Sequence, residues 1–218
     1  MSQGATDVNL LNMDSGTERF DQLAVTWDAD SSRAALARAV ADGIRRDVGL
    51  TPAMDVLDFG CGTGLLTLEL APHVRHIVGA DASAGMLAVL EEKVGANRLS
   101  SVRPYLVGDA TPLASAGRFH LIASSMAVHH VRDVPALIAE FATLLHPHGR
   151  LALADLDSED GTFHDADVRD VHHRGFERAW LRERMLQHGF VDLRDTTAFV
   201  HRRHGREYPV FLMTATLG

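Results

Sequence analysis

The chain has 218 residues, a formal net charge of −8 and an apolar fraction of 46%. That length suits one domain with a packed core. The acidic balance argues against a broad polyphosphate-binding surface, so no nucleic-acid partner is expected, and no apolar run approaches the ~18 residues of a membrane span.

Cys61 is the one cysteine, which precludes a disulfide within the chain and fits a reducing compartment. The N-terminus lacks the basic-then-apolar layout of a leader. A cytoplasmic protein, monomer or homodimer, is expected.

In chain order, residues 1–16 are polar and aperiodic and read as a flexible N-terminal arm, leaving 17–218 as a single domain. Phe20 to Trp27 reads as a short helix. Its Phe20, Leu23 and Trp27 form an apolar stripe that would cover the sheet. Ser31-Ser32 then offers a cap for a helix from Arg33 to Val48. Leu36, Val40 and Ile44 mark its buried face, and Gly49 its end. A first strand, Met54 to Asp58, runs into Gly60-Cys61-Gly62-Thr63-Gly64, followed by a helix from Leu65 to Ala71. The second strand spans about Val74 to Ala80. Ser83 caps a helix that reaches Val94 and stops at Gly95. The third strand runs from Val102 to Val107 and the fourth from Phe119 to Ala123. A helix over Val134 to Leu145 leads to the fifth strand, Arg150 to Leu156.

After Asp157 the pattern changes. Phe176 to His188 reads as a helix with Trp180, Met185 and Leu186 toward the core. Phe190 to Val200 and Tyr208 to Leu217 are then two consecutive strands. The basic run His201-Arg202-Arg203-His204-Gly205-Arg206 between them reads as a solvated hairpin tip. Alternating strands and helices call for an α/β fold with a parallel, doubly wound sheet and right-handed crossovers. The terminal hairpin would place the last strand antiparallel.

The glycine turn carries the chemistry. Glycine lacks a Cβ and tolerates φ > 0, so backbone can approach a ligand closely, and the helix behind it offers unpaired N–H groups. A dinucleotide site favours G-x-G-x-x-G with pyrophosphate at the helix N-terminus. Here the spacing is Gly60-x-Gly62-x-Gly64, and Asp58 precedes it. A carboxylate there repels pyrophosphate and attracts a cation, which favours S-adenosylmethionine, with its ammonium and sulfonium groups, over NAD.

With these residues the chain resembles the class I S-adenosylmethionine-dependent methyltransferases, over roughly Phe20 to Leu153. Five segments carry the likeness: Val56 to Gly64, Ile77 to Ser83, Leu106 to Ala110, Phe119 to Ser124 with His129-His130, and Leu144 to Leu153. The resemblance implies a Rossmann-like doubly wound seven-stranded sheet, mostly parallel with an antiparallel C-terminal hairpin strand. It also implies S-adenosyl-L-methionine as cofactor. The acids then take roles. Asp58 would hold the methionine ammonium, Asp81 the ribose hydroxyls, and Asp109 the adenine amino group. Gly60, Cys61, Gly62 and Gly64 would form the cradle. Ala82, Met86, Gly108, Ala110 and Ser124 would complete the cofactor contacts, with Trp27 on a lid over them.

The acceptor side is less marked. Ligands of open α/β sheets bind beyond the carboxyl ends of the strands, which brings forward His129 and His130 as catalytic candidates. Histidine suits proton removal near neutrality, yet the pair could equally pack under the following helix. His164, His172 and His173, with Asp155 and Glu159, match no metal-ligand spacing, so no metal is expected. The place after the fourth strand reads Ser124-Ser125-Met126-Ala127, unlike the Asn/Asp-Pro-Pro-aromatic turn of amino-methylating nucleic-acid enzymes. Cytosine C5 chemistry would need a nucleophilic cysteine outside the glycine loop. A small organic acceptor methylated at O, N or C remains, with a layout like the quinone-biosynthesis C-methyltransferases. A non-catalytic protein that binds the same cofactor is the alternative.

Overall fold

A computed structural model describes residues 17–108, 110–165, 168, 170–203 and 205–218. The N-terminal arm over 1–16, Asp109 and His204 lie outside the described residues.

Helix α1, Thr17–Leu23, passes directly into a 3-10 turn, Ala24–Ala29. Helix α2, Ser31–Val48, is capped by Asp30, whose carboxylate accepts from Ser32 N at 2.9 Å. The cap therefore sits one residue before Ser31-Ser32, because a carboxylate at the Ncap reaches the first-turn N–H groups directly. Leu36, Val40 and Ile44 are buried on one face, and Gly49 at φ 71° ends the helix.

Strand β1, Asp55–Phe59, leads through the glycine turn into α3, Leu65–Leu70. Strand β2, His76–Asp81, follows, then α4, Ala84–Asn97, where Ser83 Oγ accepts from Met86 N at 3.1 Å. Gly95 does not stop α4. The helix runs on to Asn97 and ends at Arg98 in the left-handed region at φ 53°. Strand β3 is Val102–Leu106 and β4 is Phe119–Ser125. Helix α5, Val134–Leu144, is capped by Asp133. Strand β5, Leu145–Leu156, starts five residues before the expected Arg150. A register shift against β4 absorbs the extra residues, with His148 at φ 59°.

Helix α6 is Arg178–Gln187. Leu181 and Met185, one turn apart, face inward, while Leu186 is 53% exposed. The expectation that Leu186 points to the core is corrected: the helical period that buries position 185 rotates 186 outward. Strands β6, Phe190–Arg203, and β7, Arg206–Leu217, are longer than expected and form the terminal hairpin.

All seven strands join one sheet in the order β3-β2-β1-β4-β5-β7-β6. The first five are parallel, and β7 is antiparallel to both β5 and β6. Pro104 sits in β3, an edge strand where the missing N–H is tolerated. Two apolar clusters cover the faces, and consecutive residues of one strand divide between them: Val56 joins Ile44 and Ile77, Leu57 joins Val78 and Phe141. Burial on both faces is why these strands read as continuous apolar runs. The chain order reverses between β1 and β4, which opens a crevice at their carboxyl ends. Among the described residues no helix is long and apolar enough to cross a membrane.

Candidate active site

The glycine turn is tied to the neighbouring strand by Gly60 N and Cys61 N, which donate to Ala80 O at 2.8 and 3.1 Å. Its glycines do different work. A Cβ on Gly60 would lie 2.3 Å from Ala127 Cβ, and one on Gly64 2.4 Å from Leu90 Cδ1. Both positions are packing constraints. A Cβ on Gly62, at φ +54°, would meet only Met86 Sδ at 3.9 Å. Gly62 is thus the position that keeps the cavity wall bare.

Two acids converge behind this turn. Asp81 accepts from Gly62 N at 2.7 Å and Ser83 N at 2.9 Å. Burial raises its pKa, and these N–H groups only partly offset that. Asp58 is 1% exposed and accepts from Thr67 Oγ1 at 2.6 Å. Burial pushes Asp58 up to about 7; the Thr67 hydroxyl opposes the shift and the nearby Asp81 charge adds to it. Two carboxylates in one buried corner favour a cationic ligand. The bare wall at Gly62 and this acidic corner fit the methionine end and ribose of S-adenosylmethionine. Burial holds the Cys61 thiol well above its usual range, so it stays protonated and packs.

A cavity of about 620 Å³ extends from this corner. Asp58, Gly60, Cys61, Gly62, Asp81, Ala82 and Met86 bound one end. Gly64, Gly108 and Ala110 are not on its wall, and Val107 is. Gly64 faces Leu90, and Gly108 closes a tight turn with Thr111 through a pair of backbone bonds. Ser124 is also corrected. It is fully buried and gives its hydroxyl to Phe59 O at 2.9 Å, while Ser125, on the other side of the strand alternation, lines the cavity.

The N-terminal segment roofs the cavity through Phe20 and Trp27, whose rings meet edge to face at 5.7 Å. Their stripe turns toward the cavity. Polar contacts that the sequence did not announce fasten this roof. Asp21 accepts from Ser83 Oγ at 2.5 Å and Gly85 N at 2.7 Å. Asp28 accepts from Thr63 Oγ1 at 2.6 Å and pairs with Lys93.

The histidines separate at the far end. His129 is 1% exposed and its Nδ1 donates to Asp155 Oδ1 at 2.7 Å. Asp155 also accepts from His129 N and Leu156 N. His129 lines the cavity, and its Nε2 is buried with no hydrogen-bond partner among the described residues. His130 donates Nδ1 to Asp170 O at 2.7 Å and packs edge to face on Phe20 at 5.3 Å. Burial holds His130 well below the ordinary imidazole range. His164 joins them, 5.1 Å from the His129 ring, with burial depressing it to about 4.

His172 and His173 do not line the cavity. Their backbone N–H groups donate to His129 O at 3.0 and 3.1 Å, and His173 Nε2 donates to Val131 O. Glu159 accepts three loop N–H groups between Gly161 and Phe163. Among the described residues no group of three His, Cys, Asp or Glu gathers as a cation site. The basic run read as a solvated tip is exposed at Arg202 and Arg206, but His201, Arg202 and Arg203 also line the cavity, with Arg19 and Arg33.

The sequence model of the family described as "Methyltransferase domain" matches residues 32–203. An uncharacterised methyltransferase of Schizosaccharomyces pombe is 35% identical over 140 residues, covering 56% of this chain and 48% of that protein. The nocamycin O-methyltransferase of Saccharothrix syringae is 33% identical over 137 residues, covering 62% of this chain and 48% of its own. The matches thus span about half the length of these curated relatives. A solved structure of Haemonchus contortus phosphoethanolamine N-methyltransferase 2 with S-adenosyl-L-methionine aligns with a TM-score of 0.63 at 16% identity. That alignment covers 79% of this chain and 50% of that one.

Proposed function

Because the chain belongs to the class I S-adenosylmethionine-dependent methyltransferases, we propose that it methylates a small organic acceptor bound beside His129. One observation carries this reading: a single cavity of about 620 Å³ joins the acidic glycine corner to the buried His129–Asp155 pair. That size suits a cofactor and a small molecule together. Residues 17–218 act as one unit in this reading, since every strand belongs to the same sheet.

When bound, the cofactor supplies an activated methyl group on a good leaving group. The protein's residues do the rest. Asp58 would attract the cofactor's ammonium, and Asp81 would accept from its ribose hydroxyls. Phe20 and Trp27 exclude water, which strengthens every charge interaction beneath them. The chain aligns an in-line displacement, where positioning contributes most. The acceptor would gain the methyl group, and the sulfur would keep the electron pair of the bond it gives up. His129 Nε2 takes the acceptor's proton. Asp155 fixes the tautomer that leaves Nε2 open and stabilises the imidazolium that forms. His130 donates to a carbonyl where His129 has a carboxylate, and burial disfavours its protonated form, so it is read as part of the wall.

The test is incubation of the enzyme with methyl-labelled cofactor and a cell extract split into small metabolites, protein and RNA. Label in the small-metabolite fraction supports the reading; label in protein or RNA overturns it. Calorimetry with S-adenosylhomocysteine and NADH should show binding of the former alone.

A further inference from the structure

The chain is acidic overall, at −8, yet several arginines face its cavity, one of them beside Asp30, which lines it too. The acids Asp58 and Asp81 occupy the cofactor end, while Arg19, Arg33 and Arg203 line the cavity from α1, α2 and β6. Arg33 pairs with Asp30 at 3.9 Å; burial lowers its pKa, the charges of Asp30 and Asp28 oppose that shift, and Arg19 and Arg203 are near enough to add to it. Each guanidinium has a carboxylate partner, Asp170 for Arg19, Asp30 for Arg33 and Asp165 for Arg203, and with five N–H donors apiece such groups can hold a further anion.

The three are not equivalent. Arg33 lies flat on Trp27, 3.7 Å from the ring centroid, and gives Nη1 to Trp27 O at 2.6 Å. It is committed to the roof. Arg19 sits over Phe20 and pairs with Asp170 at 3.4 Å. Arg203 is steadied by Phe163 O at 2.7 Å and by Asp165. Between them Phe163 stacks edge to face on His164 at 4.9 Å and on His201 at 5.4 Å. His164 Nε2 is buried with no partner among the described residues. From His129 the wall therefore runs through His164 and Phe163 to Arg203.

We propose that the acceptor is a small organic anion, its acidic group held by Arg19, Arg203 and His164 while its methylated atom lies at His129 Nε2. This rests on the reading of small-molecule methyl transfer and names the class of small molecule. The acidic group is a handle and keeps its charge in the product. The planar, donor-rich guanidinium suits a carboxylate or a phosphate equally.

Labelled products from the small-metabolite fraction are separated on an anion-exchange resin. Retention of the label supports the proposal, and a sensitivity to phosphatase would identify the handle as phosphate instead of carboxylate. Label in the unretained fraction overturns it and leaves the small-molecule reading standing. Label in protein or RNA, or in no fraction, overturns both. Arg203→Gln and Arg19→Gln provide the second arm. Each should raise KM for the retained acceptor at least tenfold with S-adenosylhomocysteine affinity within threefold of wild type. A parallel loss of S-adenosylhomocysteine affinity would assign the arginines to the cofactor's own carboxylate and overturn the proposal.

Discussion

The two ends of the cavity are built differently. The cofactor end comes from one run of chain, β1 through the start of α4, in which a strand, a turn and an acid repeat in order. The acceptor end is gathered from α1, α2, the turn after β4, the loop around Phe163 and the end of β6, with Asp155 of β5 behind His129. The first is local and acidic. The second is long-range, aromatic and basic. Substitutions at the first should therefore change cofactor affinity, and those at the second should change turnover or acceptor KM.

The largest effect expected is at the acceptor end. His129→Gln keeps an amide near Asp155 but removes the base, so kcat should fall by about 10²–10⁴-fold while S-adenosylhomocysteine affinity is unchanged. His130→Gln should cost far less. Equal losses in the two variants, measured by initial rates, would break the distinction between base and wall.

At the cofactor end, Asp81→Ala removes the acceptor of the ribose hydroxyls and also the ligand of Gly62 N and Ser83 N. Affinity for S-adenosylhomocysteine should fall by about 2–4 kcal/mol. A change smaller than threefold by calorimetry would sink the assignment. Gly64→Ala, by contrast, should act on stability, because its Cβ would press on Leu90 at a φ of +84°. A loss of about 1–3 kcal/mol in denaturant unfolding is expected.

A smaller effect follows from Asp58, whose pKa is raised from 3.8 to about 7. A raised carboxylate makes the free protein less stable as pH climbs from about 4 toward 7, since a buried charge must form. In its proposed role opposite the ammonium, Asp58 must carry that charge when the cofactor binds. Affinity should accordingly be full above pH 7 and weaken below it, by up to about tenfold per pH unit. Flat affinity between pH 5.5 and 8 would argue that Asp58 does not face the ammonium. Least of all, Leu186→Gln at its exposed position should shift stability by under about 0.5 kcal/mol.

Legibility followed the same division. Periodicity located every strand, and errors were confined to ends: the Asp30 cap, the passage of α4 through Gly95 and the early start of β5. These were decided by side-chain capping and by a register shift, which depend on neighbours and not on pattern. Asp58, Gly60 and Gly62 were readable because they share one strand–turn–helix junction, and Asp81, 19 residues after Gly62 at the end of the neighbouring strand, is joined to it by the bond from Gly62 N. Ser124 was misread by one position, since alternation at a strand's end decides which serine faces the cavity.

By itself, then, the sequence determined the layered α/β architecture and the acidic glycine cradle, because both arise from short-range period and turn chemistry. It could not choose between His129 and His130, adjacent in the chain and alike in type. Only the tertiary structure set Asp155 against one and Asp170 against the other. It also turned Arg203, read from sequence as part of a solvated tip, onto the same cavity as Arg19. The direction of a side chain leaving a loop or strand end is fixed by what packs against it, and those partners lie tens to hundreds of residues away.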